Sequence, residues 1–322
     1  MLGEVDEPEA GVGEVIVDVA VAGMTFVETQ VRRGVDPWHP PPPLPYIPGV
    51  LVAGRVTRLG AHVDASWLGR RVVASTGESG GFAERVRARV EDLFVVPNSL
   101  GFANATALCS DGSTAQGLFE GAKVRAGDWV LVEAAAGGVG SLLVQFARAA
   151  GARVIGAARG DAKMRALRSL GVDVAVDYAN DGWTAEVLEV TRGVGADVVF
   201  DGVGGSVGAA AFTATAPGGT FSIHGASSGA VTAIDLTAAA NRRIEVLGIE
   251  QLFEFSAHSQ RWAEQAMSAG VTGTVRPLIG QTFDLAHAAD AHAAVENRST
   301  LGKTLIVVES EPSLRERKHP AA

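Results

Sequence analysis

The residues best equipped for chemistry in this chain are a glycine-rich run and two cations downstream of it. The run Val132-Glu133-Ala134-Ala135-Ala136-Gly137-Gly138-Val139-Gly140 lies between an apolar stretch and a segment of helical spacing. Set against G-x-G-x-x-G, it places Ala135, Gly137 and Gly140 on the three glycine positions. A bare backbone at Gly137 lets a pyrophosphate approach, and Gly140 lets a helix pack close on the strand before it. Gly138 and Val139 open that helix, whose free N–H groups and positive dipole end face the phosphates. The same run would also serve as a tight strand-to-helix turn with no ligand. A strand before it, a helix after it and further βα repeats downstream favour the dinucleotide. Where an Asp or Glu would hold a ribose 2′-hydroxyl stands Arg159, with Lys163 in the following turn. Two cations there attract a 2′-phosphate, each charge-assisted bond contributing roughly 1.5–3 kcal/mol. The cofactor expected is NADPH. Two solvated charges at a helix start are the plainer alternative.

The elements that must position these residues show two rhythms. Up to about residue 106 the chain reads as β structure. Val15, Val17, Val19 and Val21 alternate with Ile16, Asp18 and Ala20 before Gly23 punctuates. Val50 to Leu59, Arg71 to Ala74 and Phe82 to Arg87 are further short β-rich runs. The prolines from Pro40 to Pro48 predict a rigid extended loop. From residue 107 to about 271, apolar runs alternate with helical segments. Trp129 to Glu133 precedes a helix from Ser141 to Ala150. Arg153 to Ala158 precedes a helix capped by Asp161 and ended by Gly171. Val174 to Asp177, Asp197 to Asp201, Gly219 to Gly225 and Ile244 to Ile249 continue the pattern. This predicts an α/β architecture, with a β-rich domain joined to a doubly wound domain whose parallel sheet is covered on both faces. From residue 272 to 322 a helix over Phe283 to Val295 and a strand over Thr304 to Val308 would close the first sheet or extend the second. The run from Ser313 to Pro320 reads as a frayed polar tail.

Composition narrows the partners. The formal charge of −9, with 36 acidic against 27 basic residues, argues against a nucleic-acid or anionic-membrane binder. No apolar stretch is long enough to span a bilayer, and no secretory signal is visible. The single cysteine, Cys109, allows no intramolecular disulfide, and a cytoplasmic location is expected. Cys109 itself reads as a small apolar residue rather than a nucleophile. Of the seven histidines, His287 and His292 are the nearest pair, and on a helix they would point about 140° apart. No metal site is expected.

With these residues in view, the chain resembles the medium-chain dehydrogenase/reductase superfamily, and within it the zinc-independent quinone oxidoreductase group. The resemblance rests on Gly13-Glu14-Val15 leading to Ala22-Gly23-Met24-Thr25-Phe26, on Pro48-Gly49 before Ala53-Gly54, and on the glycine-rich run. Asp197-Val198-Val199-Phe200-Asp201 before Val203-Gly204-Gly205, Pro217-Gly218-Gly219, Arg276-Pro277 and Gly302-Lys303 complete it. It implies a GroES-like catalytic domain, a Rossmann domain with the active-site cleft between the two, a C-terminal segment returning to the first domain, and a homodimer. It also implies that Tyr178 packs near the adenosine 2′-phosphate and that Thr114, Val203, Gly225 and Ser227 line the nicotinamide half of the site. The chain departs from the pattern at Thr25, where Asn is usual, and at Glu28, where Asp is usual. The apolar Val50-Leu51-Val52 stands where an acid is expected.

One cysteine excludes the four-cysteine lobe of the zinc branch, and without Zn²⁺ alcohol dehydrogenation lacks its Lewis acid. The expected chemistry is hydride transfer from NADPH to a quinone or an α,β-unsaturated carbonyl, with hydrogen-bond donors stabilising the oxyanion. Thr25, His39 and Tyr46 are the candidate catalytic donors. A strand-end hydroxyl, an exposed loop side chain and a packing ring are their plainer roles. His224 and Asp111 are further candidates for the cleft. A specialised enoyl or ketone reductase and a non-catalytic NADPH-binding protein stay open as alternatives.

Overall fold

The structure, a computed structural model, describes residues 2–77 and 79–308; the polar run from Ser313 to Pro320 lies outside the described residues. Two compact units form. One comprises the chain up to Ser110 together with the segment from Ile279 onward, and the other comprises Asp111–Leu278.

The first unit opens with β1 (Glu14–Met24), β2 (Leu51–Leu59), β3 (Arg71–Ser75), β4 (Arg85–Arg89) and β5 (Leu93–Val95). Val15, Val17 and Val19 of β1 are buried against Val52, Val56, Val72 and Phe82, so the alternation in the sequence is the core face of a sheet. Gly23 does not end the strand. It pairs with Leu51 and Leu305, and a Cβ there would come within 2.9 Å of Thr106 Cγ2. Glycine is needed for the approach of helix Phe102–Ala107, not for a turn. Phe82 precedes its strand rather than starting it, its ring filling the core while β4 pairs with β1 from Glu14 to Asp18.

The second unit contains β6 (Trp129–Val132), β7 (Arg153–Ala158), β8 (Val174–Asp177), β9 (Ala196–Asp201), β10 (Thr215–Ile223) and β11 (Glu245–Leu247). All pair in parallel, in the order β11-β10-β9-β6-β7-β8. The chain winds outward from β6 to β8, then returns to β9 and winds the other way. The order therefore reverses between β6 and β9, which makes their carboxyl ends the topological switch point where such sheets bind ligands. Leu131, Ile155, Val176, Val199 and Phe221 are fully buried, because helices cover both faces.

The return segment forms β12 (Ile279–Asp284) and β13 (Lys303–Val307), with helix Ala288–Glu296 between them. β13 pairs antiparallel with β1, so the C-terminal strand closes the first sheet, whose main path is β12-β13-β1-β2-β3-β5. Phe283 lies within β12, one residue before its end, rather than opening the helix, and its register partner is Ile306. The units divide at Ser110 and Leu278, where the change of rhythm suggested 106 and 271. Helix Phe102–Ala107 packs on β1 and β2, and the Gln145 side chain bonds both backbone groups of Arg276. These contacts draw the two boundaries onward.

Two substitutions probe the turn after β6. Ala134 sits in the left-handed region at φ 47°, so Ala134→Gly is expected to stabilise the protein by about 1 kcal/mol. At Gly140 a Cβ would overlap the Ala134 carbonyl oxygen, and Gly140→Ala should cost roughly 1–3 kcal/mol. Urea unfolding of both variants measures these opposite signs.

Candidate active site

The glycine turn is built by three backbone contacts. Ala135 N donates to Ala157 O on β7 at 3.1 Å, Gly137 N donates to Ala134 O at 2.8 Å, and Ser141 N donates to Gly137 O at 3.0 Å. The left-handed residue is Ala134, one position before the alanine aligned with the first glycine. Helix Gly138–Ala149 then starts at the switch point from an extended Gly137 that provides no side-chain cap. Gly137, Gly138 and Val139 are only half-buried, and Gly140 brings the helix within 2.9 Å of Ala135 Cα, measured from a built Cβ. A helix start with half-exposed glycines and no N-cap side chain fits a pyrophosphate. The Asp111 carboxylate also lies here, its Cγ 2.7 Å from where a Gly138 Cβ would be. An anion in that place is favourable to the positive end of the helix.

The next two strands carry the adenosine end. Arg159 follows β7 directly, exposed, with its guanidinium carbon 5.8 Å from the centre of the Tyr178 ring. Tyr178 follows β8 and meets Trp183 edge-on at 6.4 Å. Arg159 and Tyr178, singled out separately in the sequence, therefore form one cation–π pair. Lys163 is half-buried in the first turn of helix Asp161–Leu170. Asp161 opens this helix but does not cap it. Gly160 is the N-cap, and its N–H donates to Asp177 Oδ2 at 2.9 Å; the turn needs φ 85° with ψ 158° at that residue, a region open essentially to glycine alone. Gly171 does end the helix, at φ 76°.

Past the switch point, Asp201 ends β9 and organises the turn after it. Its Oδ1 accepts from Val203 N at 3.0 Å and Gly204 N at 2.7 Å, and its Oδ2 accepts from Thr232 Oγ1. Ser228 N donates to Val203 O at 2.8 Å, so the Val203 turn and the loop bearing Gly225 and Ser227 are tied together. Thr114 lies half-buried in the first turn of helix Ser113–Ala122. His224 follows β10; its Nδ1 is sealed from solvent and lacks a hydrogen-bond partner. Burial holds its pKa down at about 4, against the opposing pull of Asp201 and the Ser222 backbone.

In the first unit Thr25 caps helix Phe26–Arg32 in a reciprocal box. Thr25 Oγ1 donates to Glu28 Oε2 at 3.0 Å, Thr25 N donates to the same oxygen at 2.7 Å, and Glu28 N donates to Thr25 Oγ1. The Thr25 hydroxyl proton thus points at Glu28. Burial raises the Glu28 pKa, opposed by the Thr25 hydrogen bonds and by Lys303. Tyr46, half-buried in the proline-rich loop, feels both Glu28 and Arg32, and burial raises its phenol. Lys303, only 3% exposed, donates to Ser110 Oγ at 3.2 Å. Burial pushes the nearby Cys109 thiol up to about 12, so it stays protonated. Thr25, Glu28, Tyr46 and Lys303 form one neighbourhood. His39 is held elsewhere: it is exposed, and its Nδ1 bonds Asp36 Oδ1 at 2.9 Å. Sequence reasoning passed over helix Phe26–Arg32 and Lys303 as site elements. The Thr25-x-x-Glu28 spacing signals the first, and a lysine opening the apolar run Leu305-Ile306-Val307 signals the second. Among the described residues no group of three or more His, Cys, Asp or Glu side chains could hold a metal ion. No described helix is long and apolar enough to cross a membrane.

The chain as a whole is similar to known proteins. Residues 11–98 match the alcohol dehydrogenase GroES-like domain, and residues 138–269 match the family described as zinc-binding dehydrogenase. A quinone oxidoreductase of Pseudomonas aeruginosa is 32% identical over 93% of this chain and 92% of its own length. The chain belongs to the medium-chain dehydrogenase/reductase superfamily, in its quinone oxidoreductase group. Another relative, the 2-haloacrylate reductase of a Burkholderia species, is 29% identical over 94% of this chain and 93% of its own. The structure of Escherichia coli quinone oxidoreductase complexed with NADPH superimposes with a TM-score of 0.85 at 25% identity, covering 95% of both chains. The family's two-domain frame is thus the frame seen here, a GroES-like sheet and a Rossmann sheet.

A histidine held near pKa 4 in the folded state titrates near 6.5 when unfolded. Between those values the unfolded chain binds the proton and the native one does not, so His224 stability is present above pH 6.5 and lost toward pH 4. His224→Phe is expected to flatten this acid loss by a few degrees of Tm. Thermal unfolding across pH 4–7 reads it.

Proposed function

We propose that this protein transfers hydride from NADPH to a quinone or to an activated alkene conjugated with a carbonyl. The observation that carries the reading is the uncapped helix start at the switch point, with the Arg159–Tyr178 pair beyond the next strand. The helix start receives the pyrophosphate, assisted by the backbone of Gly137, Gly138 and Val139. Arg159 and Lys163 supply the positive charge for the 2′-phosphate, with Tyr178 fixing the Arg159 plane. Val203, Gly225, Ser227 and Thr114 are assigned to the nicotinamide half. When bound, the reduced nicotinamide supplies the hydride. The chain's own part is to orient the cofactor and to meet negative charge on the acceptor oxygen with donors.

For that oxygen we assign Tyr46 and Lys303 ahead of Thr25 and His39. The Thr25 proton is already directed at Glu28, and His39 is engaged with Asp36 on the surface. The names of the relatives, quinone oxidoreductase and 2-haloacrylate reductase, support both acceptor classes. A homodimer is part of the reading, because β11 ends the second unit's sheet and an edge strand is a template for pairing with a second copy.

NADPH oxidation is expected with simple quinones or enones, and NADH should serve poorly. Arg159→Ala should raise KM for NADPH about tenfold or more while leaving that for NADH nearly unchanged. Equal use of both nucleotides by the unsubstituted protein would contradict the assignment of Arg159. Tyr46→Phe should lower kcat by roughly 10²–10³ if its hydroxyl meets the oxyanion. Steady-state rates against a panel of quinones, enones and enoyl thioesters give both answers.

A further inference from the structure

Three titratable side chains stand at the carboxyl ends of adjacent strands. Glu133 follows β6, with its N–H donating to Phe200 O on β9 at 3.0 Å. Asp201 ends β9, and His224 follows β10 with its N–H donating to Asp201 O at 2.8 Å. Glu133 and Asp201 are both 0% exposed. Asp201 has its stabilising donors already: Val203 N, Gly204 N and Thr232 Oγ1. Glu133 has neither oxygen paired with a donor in bonding geometry.

A buried carboxylate without donors is the costliest arrangement available to this side chain. Its burial first, and then the Asp201 carboxylate at the end of the neighbouring strand, drive the Glu133 pKa well above the usual carboxylate range. The Val203 N–H opposes them weakly. Two acids so placed do not both ionise. Asp201 carries three donors and Glu133 none, so the proton sits on Glu133, which is the side chain left to donate it. The titratable groups facing this pair are Asp201 from β9 and, across Asp201, His224 from β10, whose ring is neutral above about pH 4.

Asp201 is also the clamp of the cofactor-side loops. It holds the Val203–Gly204 turn directly and residues 230–232 through Thr232. A Cβ on Gly204 would overlap the Ala230 carbonyl oxygen, and one on Gly208 would overlap Thr232 Oγ1. These loops fit together at van der Waals limits, so a small movement of Asp201 moves them all.

We propose that Glu133 is a positioning residue for cofactor binding: as a neutral acid it donates a hydrogen bond to Asp201, and so keeps the turn at Val203 and the loop from Gly225 to Thr232 in the form that accepts the nicotinamide end of NADPH. This rests on the assignment of Val203, Gly225 and Ser227 to the nicotinamide. When Glu133 releases its proton to solvent, two anions face each other, the clamp opens and the cofactor is released. The device makes NADPH affinity fall with rising pH, by a group that does not touch the cofactor.

The test pairs two measurements. Carboxyl ¹³C NMR of the cofactor-free protein, with the Glu133 resonance assigned by its loss in Glu133→Gln, gives the titration of Glu133. Fluorescence titration with NADPH gives Kd over the same pH range. The expected result is a Glu133 that titrates far above ordinary carboxylates and a Kd that rises tenfold per pH unit beyond that point. In E133Q, whose amide donates at every pH, the rise should vanish; a merely structural Glu133 would leave its slope in place. Asp201→Asn should raise KM for NADPH more than it lowers kcat. Ordinary titration of Glu133, or a pH-independent Kd in the unsubstituted protein, overturns the proposal and leaves the functional reading standing. No NADPH binding at any pH overturns that reading and the proposal with it. Should E133Q not fold, coincidence of the two pH profiles in the unsubstituted protein decides alone.

Discussion

The second unit depends on how closely one helix can approach one strand. Helix Gly138–Ala149 reaches β6 only because Gly140 has no Cβ to strike the Ala134 carbonyl. That approach sets the helix start at the end of the sheet's central strand, with its N–H groups directed outward. The parallel order then does the rest, since every strand's carboxyl end arrives at the same edge. Arg159, Tyr178, Val203 and Gly225 all follow strands at that edge although they span much of the unit's sequence. The left-handed Ala134 shows the constraint from the other side. The turn keeps a conformation costing about 1 kcal/mol in an alanine because the approach of the helix requires it.

The legible parts of the fold are those whose signal is local. β7 and β8 begin and end where the apolar runs meet charged or glycine residues, and both match their sequence bounds. The glycine turn was legible for the same reason. Helix Phe26–Arg32 was not, because seven residues give too little periodicity, and only its capping box marks it. Gly23 looks like punctuation because glycine usually is, whereas here it admits a helix from residues far along the chain. The C-terminal strand carried no local sign of which sheet it would join; long-range pairing with β1 decided it.

The site was less legible the farther apart its interacting members lie in the chain. Arg159 and Tyr178 each follow a strand, so the repeat places them. Lys303 reaches Ser110 across the whole of the second unit's sequence, and although its place at the head of an apolar run marks it as unusual, the residues around it do not say which group it meets. Glu133, Asp201 and His224 each look like ordinary strand-end residues until the strand order makes β6, β9 and β10 neighbours. The protein buries acids in two ways. Glu28 is met by Thr25 donors and the Lys303 cation, while Glu133 is met by another acid. The first arrangement tolerates the charge better, and the second makes retention of the proton the cheaper state.

The central claim is that the second unit reads the 2′-phosphate of its nucleotide through Arg159. Calorimetric titration with 2′,5′-ADP and with 5′-AMP tests this without nicotinamide or acceptor. Binding of 2′,5′-ADP at least about tenfold tighter, with the difference lost in Arg159→Ala, is the predicted result. Equal affinities, or tighter binding of 5′-AMP, would contradict it.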